Sequence, residues 1–546
     1  MQYILRFCYL LTISKQYMFS QLFRKKSPDI VPTNDSSLKR VLSFTDLTAM
    51  GIAAIIGAGI FGTIGQAAYD GGPGIIFLFI ITSFVCLFSA FCYAEFSSSI
   101  AVSGSAYTYA YISFGEIIAW IIGWDLFMEY AVGNMAVAIS WSDYFTAFLS
   151  GLHIAFPVWL SMDIFTAMEQ TSPEAIQAFQ DAPRMFDFPL VADLPAIGIT
   201  VLITILVYIG IQESKRMGNL LVAFKLLVLI AFIIVGCTTI QTSNWQPFIP
   251  NGWSGIFKGT AAVFFAYIGF DALSTTTEEN INPKRDLPRS IFASLLISTI
   301  IYILIALVIT GMVSYTELNV GDPLALALEK TGLNHFAGLL SFSAIVSMTG
   351  VLLVFQIGQP RIWMNMSRDG LLPKALSTIH PVYKTPSTAT VYTGISIVVP
   401  LLFLDLKEVV DLTSIGTLFA FLIVCAGIWL KDSISQTNSF KVPFISSRYL
   451  LPLIMLPVLI LYLNSVLSEN ELSLEQLPLL SCTLSVLGAV CYGSIKNRSL
   501  IPGLGVCLNL LLLSMMSWQN WLRFTIWLII GLIVYINYGR KKSKLA

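Results

Sequence analysis

Runs of apolar residues recur along nearly the whole chain and are separated by short polar connections. A helix of about 20 apolar residues crosses a hydrocarbon core of about 30 Å, so each run predicts a membrane-spanning helix. The pattern therefore predicts an all-α integral membrane protein with about fourteen transmembrane helices. The predicted spans are 44–68, 75–98, 115–149, 195–212, 218–240, 255–277, 290–312, 336–360, 387–404, 408–430, 450–467, 475–493, 500–517 and 521–539.

The connections between these runs differ in charge. Basic segments recur at every second connection, from RKK at 24–26 to the RKKSK tail at 540–544. With the N-terminus inside, few of the 31 Lys and Arg residues fall near the outer side: Arg184, Lys258, Lys330, Lys407 and Arg523. Basic residues are concentrated in the cytoplasmic loops of membrane proteins. The distribution predicts that both termini are cytoplasmic, and it supports the count of fourteen spans.

Composition excludes several classes of protein. The chain is 56% hydrophobic and 11% charged, with a mean hydropathy of +0.78, which excludes a soluble globular protein. Basic and acidic residues are equal in number, so charge gives no reason to expect a nucleic-acid partner. The three histidines lie far apart, and the dipeptide Gly-Lys of a phosphate-binding loop does not occur. No cofactor, metal or enzymatic activity is predicted, and the partner expected from composition is the lipid bilayer.

The first predicted span is unusually rich in glycine: Gly51, Gly57, Gly59, Gly62 and Gly65. Each glycine costs about 1 kcal/mol of helix propensity relative to alanine, so these positions need an explanation. Close packing of helices is one explanation. The other is a break around residues 56–60, where exposed N–H groups at the start of a second half-helix would suit a carboxylate.

The sixth predicted span also changes character midway, at residues 265–270, ahead of Asp271 and a Ser/Thr run. Paired interruptions in corresponding spans of two halves indicate a transport site near the middle of the membrane. Unwound carbonyls in the sixth span could accept hydrogen bonds from an ammonium group. The two breaks together therefore match the zwitterionic part of an α-amino acid.

Four segments carry a specific resemblance. GIAAIIGAGIF (51–61), CYAEF with GSAYTYAY (92–111), WDLFMEYAVG (124–133) and FFAYIGFDALSTTTEENINPKRDLP (264–288) resemble the amino acid–polyamine–organocation superfamily. Within it, the chain is similar to the cationic amino acid transporter branch and its bacterial relatives, from about residue 38 to the end. The resemblance implies an inverted five-plus-five helix core, with the substrate bound between spans one, three, six and eight.

The predicted domains follow from the spans and the resemblance. Residues 1–43 form a cytoplasmic tail, in which Met18 is an alternative start that would make residues 1–17 an artefactual extension. The predicted transporter core, spans 1–10, occupies 44–430 and includes an acidic outer loop at 151–194. Spans 11–14 lie at 450–539, and a basic cytoplasmic tail at 540–546 follows them.

Lys225 lies about seven residues inside the fifth predicted span, roughly 10 Å deep. A lysine at this depth can extend its ammonium group to the membrane surface, which is a structural role. The resemblance implies a different role, because bacterial members have a lysine here that contacts the first-span break and replaces a sodium ion. An intramembrane lysine that releases its proton would couple protonation to the inner gate, so Lys225 is the predicted proton-coupling residue.

Three acidic residues in the predicted spans are weaker candidates for support of this site. Asp125 and Glu129 are four residues apart in the third span and share one helix face. Glu129 could meet a substrate amine or a protonatable partner, and a structural hydrogen bond is an equal alternative. Asp271 follows the sixth-span break and could cap the second half-helix instead of contacting substrate.

The predicted substrate-binding residues come from the two breaks and from span eight: Ile56, Gly57, Ala58, Gly59, Ile60, Phe265, Ala266, Tyr267, Ile268 and Phe355. The substrate carboxylate is expected at the N–H groups of residues 57–60. The ammonium group is expected at the carbonyls of Ile56, Phe265 and Ile268. Aromatic side chains, including Phe270, would surround the rest of the substrate, although packing against lipid or helices is an equal alternative for each of them.

We therefore predict a secondary active transporter of L-α-amino acids that uses alternating access and couples to protons. An exchanger without proton coupling and an amino acid sensor with a transporter fold are the alternatives. The substrate class stays open, because the branch implies cationic amino acids whereas the bulky Phe355 favours neutral or small ones. The predicted location is the plasma membrane of a bacterium. No accessory subunit is expected, since no cysteine lies on the outer side to form a disulfide with one.

Overall fold

The computed structural model describes residues 23–26, 42–100, 105–170, 172–186, 188–209, 214–383, 385–430, 440–467 and 477–544. The described residues are mostly helical. The helices of the first part are Phe44–Ile55, Ala58–Phe61, Ile64–Gly71, Ile75–Ser99, Ser105–Ser113, Glu116–Gly151, Ile164–Glu169, Pro173–Asp181, Leu194–Ile209, Ser214–Cys237, Gly252–Lys258, Thr260–Tyr267 and Pro283–Met312. Those of the second part are Pro323–Lys330, Asn334–Arg368, Ser387–Val398, Leu406–Leu430, Ser447–Leu467, Leu477–Lys496, Leu500–Ser514, Trp518–Val534 and Arg540–Lys542.

A helix lies in every predicted span. In the described part of the chain, seven helices are long and apolar enough to cross a membrane. The count is eight when the bent pair Gly252–Lys258 and Thr260–Thr277 forms one span, and five further apolar helices are 10–17 residues long. The chain is therefore an all-α membrane protein, while the total of fourteen spans stays a prediction. Most of the predicted N-terminal tail, residues 1–22 and 27–41, lies outside the described residues.

The centre of the molecule is built around the Glu116–Gly151 helix. It packs against Asn334–Arg368 and Leu406–Leu430, and Ile75–Ser99 packs against Pro283–Met312. Other helices present apolar side chains outward. Leu220, Leu227 and Ile234, seven residues apart on Ser214–Cys237, are each more than 60% exposed. Such a stripe suits contact with lipid tails, because the bilayer is as apolar as the side chains.

The Trp518–Val534 helix attaches to this centre through tryptophans. Trp124 Nε1 donates to Trp527 O at 2.9 Å, and Trp527 Nε1 donates to Trp124 O at 3.1 Å. One turn earlier, Trp120 Nε1 donates to Gly531 O at 2.9 Å. The Trp518–Val534 helix is thus fastened along the first half of Glu116–Gly151.

The acidic segment at 151–194, predicted to lie on the outer side, folds into a small unit of its own. It contains two short helices and an antiparallel pair of two-residue strands, Arg184–Met185 and Phe188–Pro189. Asp163 caps the first helix by accepting a hydrogen bond from Thr166 N at 2.9 Å. Its small apolar core consists of Ile164, Ala167, Ala178, Ala182 and Val191.

Candidate functional site

Both predicted interruptions are confirmed. The first helix ends at Ile55, Ile56 has φ −79° and ψ 95°, and a new helix begins at Ala58. The other break follows Tyr267: Ile268 has an extended backbone, and Gly269 has φ +120° ahead of the 3₁₀ segment Phe270–Glu279. Each break leaves main-chain groups without partners in their own helix.

The two breaks lie against each other. A Cβ on Gly269 would be 2.8 Å from the main-chain carbon and oxygen of Ala54. A Cβ on Gly59 would overlap the main chain of Ala266. Glycine is therefore required at these two positions by close approach, and at Gly269 also by its positive φ. The packing explanation and the break explanation of the glycine-rich first span both apply.

The main-chain oxygen of Ile56 accepts hydrogen bonds from two side chains. Lys225 Nζ donates to it at 2.8 Å, and Ser347 Oγ donates to it at 3.1 Å. Lys225 Nζ also lies 3.3 Å from the oxygen of Ala53. Lys225 is only 2% exposed, so its ammonium group ends at the break of the first helix and does not extend to a surface.

A tyrosine connects the two breaks. Tyr302 Oη lies 2.7 Å from Ile55 O and 2.8 Å from Ala266 O. A hydroxyl group has one hydrogen, so it can donate to only one of these carbonyls at a time. Tyr302 therefore ties the interrupted first helix to the interrupted sixth one, and leaves one carbonyl available to another donor.

The three candidate acids are all buried, at 0–3% exposure. Asp271 Oδ1 accepts from Gly269 N at 3.2 Å, and Asp271 Oδ2 accepts from Tyr130 Oη at 3.4 Å. The N-cap position of the second half is Gly269 and has no side-chain cap, so Asp271 does not occupy the capping position that the sequence suggests. Within the described residues, neither carboxylate oxygen of Asp125 has a hydrogen-bond partner, and Oε2 of Glu129 has none. A buried polar atom without a partner is costly, so these oxygens are candidate positions for a proton or an amine.

The candidate aromatic residues divide into two groups. Phe355 packs on Tyr130 with ring centroids 5.5 Å apart, and it faces Gly133 of the same central helix. Tyr267 instead donates through its hydroxyl to Phe79 O at 3.0 Å, so this side chain is directed at the second span.

Phe270 packs away from the breaks as well. Its ring lies 6.0 Å from that of Tyr93 and 5.0 Å from that of Phe421. Of the aromatic residues predicted to surround the substrate, Phe355 therefore packs on the central helix, whereas Tyr267 and Phe270 contribute to packing between other helices.

The region around the breaks is closed. Ile56, Gly57, Gly59, Phe265 and Phe355 are all buried. A cavity of about 20 Å³ adjoins Gly269, which is room for about one water molecule. An amino acid can therefore reach the breaks only when the surrounding helices move.

Sequence reasoning missed two residues that contact the breaks, Ser347 and Tyr302. Each is a hydroxyl-bearing side chain in an apolar span, a signal that many buried structural residues share. Of the predicted residues, the structure brings Ile56 and Lys225 into direct contact, and Gly59 against Ala266. Their roles in binding and coupling stay predictions.

Comparisons with known proteins show the family of the chain. The family model described as amino acid permease matches residues 42–487, and a model for the C-terminus of AA_permease matches residues 500–543. The chain is 38% identical to the branched-chain amino acid permease BcaP of Bacillus subtilis, over 97% of this chain and 100% of that protein.

Two further relatives differ in what their names say they transport. The chain is 36% identical to the methylthioribose transporter of Bacillus subtilis, over 96% of this chain and 99% of that protein. It is 31% identical to the vacuolar cationic amino acid transporter 4 of Arabidopsis thaliana, over 96% of each chain. Similarity alone therefore leaves the substrate open.

Proposed function

The chain belongs to the amino acid permease family, and we propose that it is a secondary active transporter of L-α-amino acids. It works by alternating access and couples uptake to protons through Lys225. It lies in the plasma membrane of a bacterium with both termini in the cytoplasm, and it functions without an accessory subunit.

One observation carries this proposal: two interrupted helices meet at their breaks, deep inside a buried helical bundle. Amides at the start of Ala58–Phe61 can bind a carboxylate, since the first amides of a helix lack intrahelical acceptors and carry the positive end of its dipole. Carbonyls at Phe265 and Ile268 can accept hydrogen bonds from an ammonium group. The two breaks thus offer complementary groups to the common part of all α-amino acids.

The proposed coupling follows from the contacts of Lys225. Its ammonium group donates hydrogen bonds to the main-chain oxygens of Ala53 and Ile56. Both oxygens lie at the C-terminal end of the first half-helix. When Lys225 releases its proton, it loses part of its donor capacity and the attraction of its charge for these oxygens. The first half-helix is then free to move against the rest of the bundle, which opens the inner side.

The proposed substrates have apolar side chains. The nearest side chain to Gly57 is Val351, whose Cγ2 would lie 2.6 Å from an added Cβ. Phe355, one turn after Val351 on the same helix, extends this apolar surface and packs on Tyr130 of the central helix. A branched aliphatic side chain would bury its surface there, which agrees with the name of the relative BcaP.

The proposed architecture has fourteen spans, of which the first ten form two inverted halves of five. The breaks support this proposal, because they occur in the first helix of each proposed half. The four helices from Ser447 to Val534 form the additional spans.

The decisive experiment is uptake by the purified protein in liposomes. Labelled Leu, Ile, Val, Ala, Arg, Lys and methylthioribose are offered with and without an inward proton gradient, and with and without unlabelled substrate inside. We expect gradient-stimulated uptake of the branched amino acids into vesicles without internal substrate, and loss of that stimulation when a protonophore is added. Protein-free liposomes provide the background.

The other outcomes distinguish the alternatives. Uptake that requires internal substrate and does not change with the proton gradient would identify an exchanger and contradict proton coupling. Preferential uptake of Arg and Lys would contradict the apolar substrate class. Binding without uptake of any amino acid would favour a sensor, and uptake of methylthioribose alone would overturn the proposed function.

A further inference from the structure

Two basic segments from opposite ends of the chain meet at the same place. The main chain of Phe23 lies against Gly115, at distances of 2.6–2.8 Å from the position of an added Cβ. The next residue, Glu116, accepts a hydrogen bond from Ser543 Oγ at 2.6 Å. The N-terminal and C-terminal segments therefore both contact the beginning of the central Glu116–Gly151 helix.

The two segments meet a second time at the turn after Asn334–Arg368. Lys26 Nζ lies 2.8 Å from Asp369 Oδ1, and Lys544 N donates to Asp369 O at 3.0 Å. The neighbouring Gly370 has φ +88° and lies directly against Lys542 O. These contacts bring Lys26 and Lys544, which are 518 positions apart in the sequence, to the same aspartate.

The acidic groups at this junction are already engaged. Asp369 Oδ2 accepts from Tyr107 Oη at 2.9 Å in addition to its ion pair with Lys26. Glu116 is 2% exposed and accepts from Tyr111 Oη at 3.0 Å and Tyr535 Oη at 2.9 Å. Four lysines of the two segments are exposed on the surface of the junction: Lys25, Lys541, Lys542 and Lys544. The resulting surface, here called the tail surface, comprises Arg24, Lys25, Lys26, Arg540, Lys541, Lys542 and Lys544.

The tail surface lies where the last span leaves the membrane. Trp518–Val534 continues through a π-helical turn at Tyr535–Gly539 directly into Arg540–Lys542. No loop separates the basic residues from the apolar helix, so they leave the bilayer at the level of the lipid headgroups. Basic clusters next to a span on its cytoplasmic side attract anionic lipids over about a Debye length.

We propose that the tail surface is a binding site for the headgroups of anionic phospholipids in the cytoplasmic leaflet. The site requires both ends of the chain, because each contributes lysines to one continuous surface. Phosphate groups of the lipid replace the solvent around the exposed lysines, while Lys26 and Ser543 keep the two segments on Asp369 and Glu116. The proposal uses the cytoplasmic placement of the termini proposed above, and it is independent of the transported substrate.

The test measures binding of fluorescent phosphatidylglycerol to the purified full-length protein in detergent, with phosphatidylcholine as the neutral comparison. The variant K25A/K541A/K542A/K544A removes the exposed lysines of the tail surface. The matched control K284A/K374A/K441A/K496A removes four exposed lysines that are predicted to lie on the same side of the membrane. A third variant replaces the four tail-surface lysines by arginine and keeps the charge. Size-exclusion profiles confirm that each variant is folded.

We expect wild-type protein to prefer phosphatidylglycerol and to lose that preference when NaCl rises from 0.05 to about 0.5 M. The tail-surface variant should bind at least tenfold more weakly, and the control and arginine variants should stay within about twofold of wild type. A loss below tenfold, an equal loss in the lysine control, or no preference over phosphatidylcholine would overturn the proposal. Because no transport is measured, failure here is distinct from failure of the proposed function.

Discussion

The ammonium nitrogen of Lys225 lies 2.8 Å from the main-chain oxygen of Ile56, at the residue where the first helix is interrupted. The same oxygen accepts from Ser347, so helices of the fifth and eighth predicted spans are tied to a single carbonyl of the first. A lysine can donate three hydrogen bonds when charged and two when neutral. Protonation of one side chain is thereby linked to the position of a half-helix.

Replacing Lys225 by alanine should remove this link while the protein still folds. We expect uptake by the Lys225→Ala variant to fall at least tenfold at its best pH and to lose its dependence on the proton gradient. Uptake in liposomes at several external pH values, with an equal amount of folded protein, provides the measurement. The control is Lys258→Ala, an exposed lysine near the N-terminal end of the sixth predicted span. An unchanged pH dependence in Lys225→Ala would discard proton coupling through this residue.

The hydroxyl group of Tyr302 should matter for transport more than for stability. Tyr302→Phe removes the tie between Ile55 O and Ala266 O but keeps the buried ring. Loss of one such hydrogen bond costs about 1 kcal/mol of stability. We expect this modest stability loss together with at least a fivefold lower uptake, because the two breaks are no longer held in register.

The matched control is Tyr267→Phe, whose hydroxyl donates to Phe79 O and does not join the two breaks. It should lower the thermal midpoint by a similar amount and leave uptake within about twofold of wild type. Equal uptake in the two variants would show that Tyr302 has only a structural role.

Gly269 should tolerate no side chain. Its φ of +120° is rarely adopted by other residues, and an added Cβ would lie 2.8 Å from the carbonyl group of Ala54. We expect Gly269→Ala to lower the free energy of unfolding by more than about 2 kcal/mol, measured as a lower thermal midpoint in detergent.

Gly338 is the control for this substitution. It lies inside the Asn334–Arg368 helix with nothing within 4 Å of an added Cβ. Gly338→Ala should leave stability unchanged or raise it by up to about 1 kcal/mol, since alanine favours the helix. If both variants had the same thermal midpoint as wild type, the close contact between the two breaks would be wrong.

The positions of both breaks could be predicted from sequence because glycine and a change of composition are local signals. Gly57 and Gly269 both mark the breaks in the sequence, and the helices are interrupted at these residues. The partners of the breaks could not be predicted in this way. Ser347 and Tyr302 reach Ile56 and Ile55 across helices that are hundreds of residues apart, and periodicity does not specify which helices are neighbours.

The same distinction applies to the two tails. Basic runs at both ends are visible in the sequence, and they predict a cytoplasmic location. Their junction depends on Asp369, which receives Lys26 from one end and Lys544 N from the other. Nothing in the charge pattern singles out this aspartate among the acidic residues of the chain.

Burial of Tyr267 and Phe270 against other helices likewise follows from packing and not from their position in the motif.

Asp193, at the end of the acidic segment 151–194, gives the stability of the protein a predicted pH dependence. It lies just ahead of the Leu194–Ile209 helix and is 3% exposed. Its Oδ1 atom accepts from Ser142 Oγ at 2.6 Å and from Ala196 N at 3.0 Å. Burial raises the pKa of Asp193 to about 6, and the negative charge of Asp163 adds to this, although the two hydrogen bonds oppose it. The folded protein therefore holds this proton more tightly than the unfolded chain, whose aspartates have a pKa of about 3.9.

Because of this raised pKa, the contribution of Asp193 to the free energy of unfolding is largest at low pH and decreases as pH rises from about 4 to about 6. We expect Asp193→Asn, which keeps an oxygen acceptor for Ser142 and Ala196, to reduce the loss of stability between pH 4.5 and 7.5 by up to about 2 kcal/mol. Thermal midpoints at the two pH values provide the measurement. Asp181→Asn, an exposed acid of the same acidic segment, is the control and should leave the difference unchanged. An unaltered difference in Asp193→Asn would show that burial does not govern the protonation of this carboxyl group.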